Sequence, residues 1–223
     1  MIFNINQVIR SNRKTIAILI KNDGKVQVRA PRNASDQQIN KFVLSKEEWI
    51  HAQQKKIQKR YVPANKYEQG EFFQYLGRKY SLEFSNKGKI PLTLGKTFVL
   101  NKGKKAEAEM VFTKWYREKS REVFTDRANF LAEQHSFQFN KIRISSARTR
   151  WASCSPSGTL SFTWRLVMAP LEIIDYVIIH ELVHLKIKNH SSSFWGKVRE
   201  LEPDYKGKRK WLRDHGHLLT LKE

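Results

Sequence analysis

The sequence predicts an α+β protein, and three observations carry that reading. Short strand-like runs bounded by turn formers fill much of residues 1–103. One long helical pattern follows, from Ala106 to about Gln134. Three further short strands then lead into an apolar helix opened by Pro170, so strands and helices are grouped rather than strictly alternating.

Taken in order, Ile16 to Ile20 and Val26 to Arg29 read as strands joined across Asn22-Asp23-Gly24, a strong hairpin-turn signal. Ser45 followed by Glu48 reads as a capping box, and Trp49, Ile50, Ile57 and Tyr61 continue at helical spacing until Pro63 ends the helix. Phe72 to Phe84 and Lys89 to Asn101 read as short strands broken at Asn86–Gly88 and Leu94–Lys96. The long helix offers Val111, Trp115, Val123, Phe124, Phe130 and Leu131 for a buried stripe. Lys141 to Ser146, Arg150 to Cys154 and Thr159 to Trp164 are strands, the last two joined by Ser155-Pro156-Ser157-Gly158. Pro170 suits the first turn of a helix that runs to about Lys188. A short helix capped near Ser191–Ser193 ends by Pro203, and an amphipathic segment covers Asp204 to about Leu219. The chain divides on this reading into a basic strand-rich region, 1–103, and a core, 104–223.

Charge is the unusual bulk property. The 223 residues carry 42 basic and 21 acidic side chains, a formal net charge of +21. Residues 1–103 hold 20 basic and 7 acidic side chains. Such an excess attracts polyanions, so nucleic acid is a candidate partner through the basic surface, although a solvated basic face alone keeps a protein soluble. No apolar run is long enough to span a bilayer and no signal peptide is evident. The single cysteine, Cys154, excludes an internal disulfide and suits a reducing cytoplasm.

The chemistry lies in His180-Glu181-Leu182-Val183-His184. On a helix the two histidines stand about 40° apart and one turn from each other, so two imidazoles can share one tetrahedral zinc. Glu181 sits at the edge of that face, poorly placed to ligate but able to take a proton from a zinc-activated water. A catalytic zinc needs a third protein ligand and an open position. His190 is the best candidate, but on a continued helix it would point about 240° away from His184. The helix must therefore break between them, and Asn189 can supply a left-handed residue. Glu200 and Glu202 are rival third ligands, and His215 and His217 weaker ones. The expected complement is one Zn²⁺ per chain, preferred for an imidazole-rich site.

The runs Arg150-Trp151-Ala152-Ser153-Cys154-Ser155, Asp175 through His184, Asn189-His190-Ser191 and Phe194-Trp195 resemble the YgjP-like metallopeptidase family, itself similar to SprT-like peptidases and other zincins. The resemblance is specific over residues 145–213, with Ala152 standing where the family usually has glycine. It implies a zincin-like fold, His180, His184 and His190 as zinc ligands, Glu181 as general base and a protein or peptide substrate. Family members often accompany restriction–modification genes, which adds interest to the basic surface.

Around this site, the Arg150–Trp164 hairpin offers a strand edge for a substrate backbone, with Arg148 and Arg150 placed to hold an oxyanion or a carboxylate. Asp175 reads as a first-turn acid rather than a partner behind a ligand. Cys154 reads as a buried inert thiol, Phe194, Trp195 and Trp211 as core, and Lys206–Lys210 as a solvated face. The reading is a zinc metallopeptidase. The alternatives are a DNA-associated zinc-binding protein and a peptidase recruited to nucleic acid.

Overall fold

Val26, Val28 and Ala30 alternate with Gln27 and Arg29, the period-two pattern of a strand. In the computed structural model, which describes residues 5–21, 23–59 and 62–221, they form the centre of the first sheet. Strands β1 (Gln7–Ser11), β2 (Ala17–Ile20) and β3 (Val26–Pro31) are ordered β1-β3-β2. The β2–β3 pair is antiparallel, as the turn signal requires, and Gly24 takes a positive φ of 81°. Asn22 of that turn lies outside the described residues. The parallel β1–β3 pair has no counterpart in the sequence reading.

Helix α1 (Asp36–Leu44), also not anticipated, carries the capping box of this region. The Ser35 hydroxyl accepts the Gln38 amide at 3.2 Å and the Gln38 side chain accepts the Ser35 amide at 2.9 Å. Ser45, expected to fill that role with Glu48, instead closes α1, its hydroxyl donating to the Phe42 carbonyl at 2.7 Å. Its amide is already committed to Lys41, so it cannot also start the next helix. Helix α2 (Glu47–Lys59) begins two residues later. Ile39, Val43 and Ile50 bury themselves with Val26, Val28 and Ala30, while Trp49 is 46% exposed. Tyr61 lies outside the described residues.

The compact units divide between Pro63 and Ala64, not after residue 103. The second unit takes in the strands expected in the first region because they share its core: Phe73, Leu82, Leu92, Phe98 and Leu100 belong to one cluster with Phe112, Trp115 and Tyr116. Those strands are β4 (Phe72–Tyr75), β5 (Arg78–Ser85), β6 (Leu92–Leu94) and β7 (Phe98–Asn101), ordered β4-β5-β7-β6. Positive φ at both Leu76 and Gly77 makes the tight β4–β5 turn.

Helix α3 (Ala108–Gln134) buries Phe112, Trp115, Tyr116, Phe124, Ala128 and Leu131. Phe130, expected in that stripe, is 53% exposed and lies under the Arg127 guanidinium at 4.7 Å. It is one residue off the buried face that Phe124, Ala128 and Leu131 define. Strands β8 (Lys141–Ser145), β9 (Ala152–Cys154) and β10 (Thr159–Thr163) follow, ordered β8-β10-β9, with Gly158 closing the β9–β10 turn at φ 76°. Helices α4 (Leu171–Lys186), α5 (Ser192–Leu201) and α6 (Tyr205–His215) complete the chain, and α4 packs on α3, α5, α6 and β9. Pro170 stands just before α4, at the N-cap. Among the described residues no helix is long and apolar enough to cross a membrane.

Candidate metal centre

Helix α4 is apolar nearly all round, as a helix enclosed by neighbours must be. Ile173, Ile174, Tyr176 through Ile179, Leu182 and Val183 are buried, and Glu181 is buried among them at 5% exposure. His180 and His184 occupy successive turns of the remaining face. The helix ends at Lys186 because Ile187 turns to an extended conformation, φ −123° and ψ 106°. Asn189, expected to break it with a left-handed residue, does not have a positive φ. A β-branched isoleucine favours extended backbone, so the break comes two residues early. Asn189 instead accepts the Ser191 amide at 3.3 Å, and the Ser191 hydroxyl caps α5 through Phe194.

This early break swings His190 back onto the site. Its Nε2 lies 3.2 Å from Nε2 of His184 and 3.1 Å from Nε2 of His180. Two nitrogens bound tetrahedrally to one zinc at about 2.0–2.1 Å sit about 3.3 Å apart, so the cluster is close to the size of a metal site. The proton inventory points the same way. His184 Nδ1 stands 3.0 Å from the Ile187 carbonyl, which can only accept, so the ring proton is on Nδ1 and Nε2 presents a lone pair. Burial first, then the neighbouring His184, His190 and Arg209 charges, push His180 down to about 3. Burial likewise lowers His184. Both rings are held neutral, the form that ligates a metal. These three residues could hold a metal ion, and they are the group of that kind among the described residues.

The rivals are engaged elsewhere. Glu200 pairs with Lys197 at 2.7 Å and Glu202 with Lys208 at 2.5 Å. His215 stacks on Trp211 and its Nδ1 lies 3.1 Å from the Trp211 carbonyl. Neither His215 nor His217 joins the cluster.

Beside the histidines, burial raises the Glu181 carboxyl to about 7, against a smaller opposing pull from Arg150. Its Oε2 is buried without a hydrogen-bond partner. Arg150 is thus brought near the site, and Arg148 is exposed on the same loop. Asp175 is neither a first-turn acid nor a support for a ligand. It makes a two-pronged ion pair with Arg127 of α3, both contacts 2.8 Å, and fastens α4 to α3. Burial raises the Cys154 thiol, which keeps it protonated and inert.

Aromatic rings wall the histidines, and Phe194 and Trp195 serve this site as well as the core. Phe194 stacks on His184 at 4.4 Å and Trp195 on His190 at 5.6 Å. Tyr205 stacks on Trp195 in turn, at 5.4 Å.

Strand β9 lies at the edge of its sheet and against α4. Ser155 donates to Thr159 and Thr163 to Trp151, both at 2.9 Å. Antiparallel pairs alternate, so the backbone groups of Ala152 and Cys154 turn to the open edge.

Comparison with known proteins follows the same direction. The sequence pattern of the YgjP-like metallopeptidase domain family matches residues 14–215. Among solved structures, the metallopeptidase zymogen abylysin of Pyrococcus abyssi is 27% identical, with a TM-score of 0.38, over 45% of this chain and 99% of that one. The metallopeptidase zymogen jannalysin of Methanocaldococcus jannaschii is 25% identical, with a TM-score of 0.37, over 40% of this chain and 93% of that one. No curated protein matches the chain.

Proposed function

This chain belongs to the YgjP-like metallopeptidase family, and on that premise we propose that it hydrolyses peptide bonds with one zinc ion on His180, His184 and His190 and with Glu181 as general base. The observation that carries the reading is the convergence of three imidazole nitrogens, 3.1 and 3.2 Å apart, beside a buried carboxylate with an unpartnered oxygen. When bound, zinc supplies Lewis acidity to a substrate carbonyl and to water. Glu181 takes the proton from the attacking water and returns it to the leaving amine, and a carboxyl raised toward neutrality suits both transfers. The Ile187 carbonyl holds the His184 ring in its orientation and tautomer. A peptide adds to the open edge of β9 through the backbone groups of Ala152 and Cys154. Arg150, whose charge reaches Glu181, and Arg148 on the same loop steady the developing oxyanion or a substrate carboxylate. The same proposal places the chain in a reducing cytoplasm, on the strength of its single cysteine.

The test pairs metal content with proteolysis. The expected result is one zinc per chain in protein purified without chelators, and cleavage lost by Glu181→Gln while zinc is retained. Metal-free wild type, or equal cleavage by the variant, overturns the proposal.

One observation favours a second reading, a peptidase recruited to nucleic acid. Residues 1–63 carry 13 basic and 4 acidic side chains, and Lys14, Lys21, Lys25, Arg29, Arg32, Lys41, Lys46, Lys55 and Lys56 are exposed. DNA binding that weakens steeply with salt and survives Glu181→Gln is its signature, and salt-insensitive or absent binding removes it.

A further inference from the structure

Tyr205 and Arg209 stand one turn apart on α6 and both meet the same ring, Trp195. The Arg209 guanidinium carbon lies 5.0 Å from the Trp195 centroid. Trp195 in turn lies 5.6 Å from His190 and 5.7 Å from His180. Arg209 is exposed and, among the described residues, makes no ion pair with a carboxylate, while Glu202, Glu200 and Asp214 pair with Lys208, Lys197 and Arg213. Tyr176, one turn before His180 on α4, faces that histidine with ring centroids 6.2 Å apart. An aromatic shelf beside the three histidines therefore carries one guanidinium at its rim.

We propose that Arg209 is a specificity-determining residue, which binds a carboxylate of the peptide substrate next to the scissile bond. The inference rests on the metallopeptidase reading. Distance decides between two jobs for this cation. A donor to the oxyanion must come within about 3 Å of the reacting centre. Arg209 rests on an indole that itself flanks the histidines, a place suited to the side chain of a residue beside the cut. Stacking on Trp195 limits the motion of the long side chain, so less freedom is lost when a two-pronged bond to a carboxylate forms.

The experiment profiles cleavage of a mixed peptide library by the zinc-loaded full chain. Wild type, Arg209→Gln, Arg209→Glu and Lys210→Gln are compared, the last controlling for general basic charge on the exposed face of α6. Expected is enrichment of Glu or Asp, about tenfold or more, at one position beside the cut. It is retained by Lys210→Gln, lost by Arg209→Gln and turned toward Lys or Arg by Arg209→Glu. Enrichment unchanged in Arg209→Gln, or none in wild type, overturns the assignment. If zinc-loaded wild type cleaves nothing, the peptidase reading has failed, and retention on immobilised Glu181→Gln decides this one separately. Acidic peptides held by Glu181→Gln but released by Glu181→Gln/Arg209→Gln support the subsite, and equal retention removes it.

Discussion

The cores of the two units differ in the polarity they bury. In the first, the core is aliphatic and its buried polar residue among those described, Gln27, is bonded to the Gln7 side chain across the β1–β3 pair, while the unpartnered Arg13 Nε belongs to a half-buried side chain outside that core. In the second, the helix at the centre of the core buries Glu181 with an oxygen unpartnered and His180 with Nδ1 unpartnered. A buried polar atom without a partner costs roughly 1–3 kcal/mol, so a fold retains it where something else is gained. The contrast teaches that the aliphatic core of the first unit serves packing alone, whereas the core of the second carries unsatisfied polar groups of the kind the proposed metal site would use.

Several changes sharpen or break that contrast. The largest effect is expected from His190→Ala, which in the proposed site removes a ligand rather than a support. Zinc affinity measured against a competing chelator should fall by more than the roughly 10–100-fold that follows loss of an outer partner. A smaller loss would make His190 a bystander. Core truncations should be alike in stability but unlike in consequence. Ile50→Ala in the first unit and Leu182→Ala in the second each cost about 2–5 kcal/mol by denaturant unfolding. Only the second, on the buried face of the helix that carries His180 and His184, should weaken zinc binding.

Glu181 supplies a test with pH. Its folded value of about 7 lies above the ordinary 4.5, so the folded chain binds the proton more tightly than the unfolded one. The penalty is absent below about 4.5 and complete above about 7, where the buried group is ionised. Metal-free Glu181→Gln should therefore be more stable than metal-free wild type at pH 8, by as much as about 3 kcal/mol. That gain should vanish as pH falls toward 4.5. A pH-independent gain would mean that the carboxylate is not desolvated as described. The smallest effect is expected from Arg127→Ala, which breaks a partly buried two-pronged pair with Asp175. Thermal unfolding should register a loss of about 1–2 kcal/mol, with zinc content unchanged, because the pair fastens helices rather than orienting a ligand.

The parts legible in advance were those with local causes. The β2–β3 and β9–β10 turns, the long α3 and the spacing of His180, Glu181 and His184 follow from neighbours within a few residues in the chain. Where two local signals competed, the nearer commitment of the backbone won. Ser45 resembled an N-cap, but its amide and hydroxyl were already drawn into α1. Ser35 with Gln38 carries the same chemistry at the start of α1, where no competing helix claims the serine. Phe130 shows the limit of periodicity in a helix of 27 residues, where one position of drift moves a phenylalanine from core to solvent.

The sequence by itself determined the α+β class, the helix that carries His180 and His184, and the need for that helix to break if His190 is to join them. Those conclusions depend on helical pitch and residue type alone. Only the tertiary structure decided where the break falls, that Asp175 belongs to Arg127, and that Trp195, Tyr205 and Arg209 form one wall of the site. The physical reason is common to all three. Each depends on side chains from elements that meet only after packing, and neither periodicity nor propensity contains the distance between two helices.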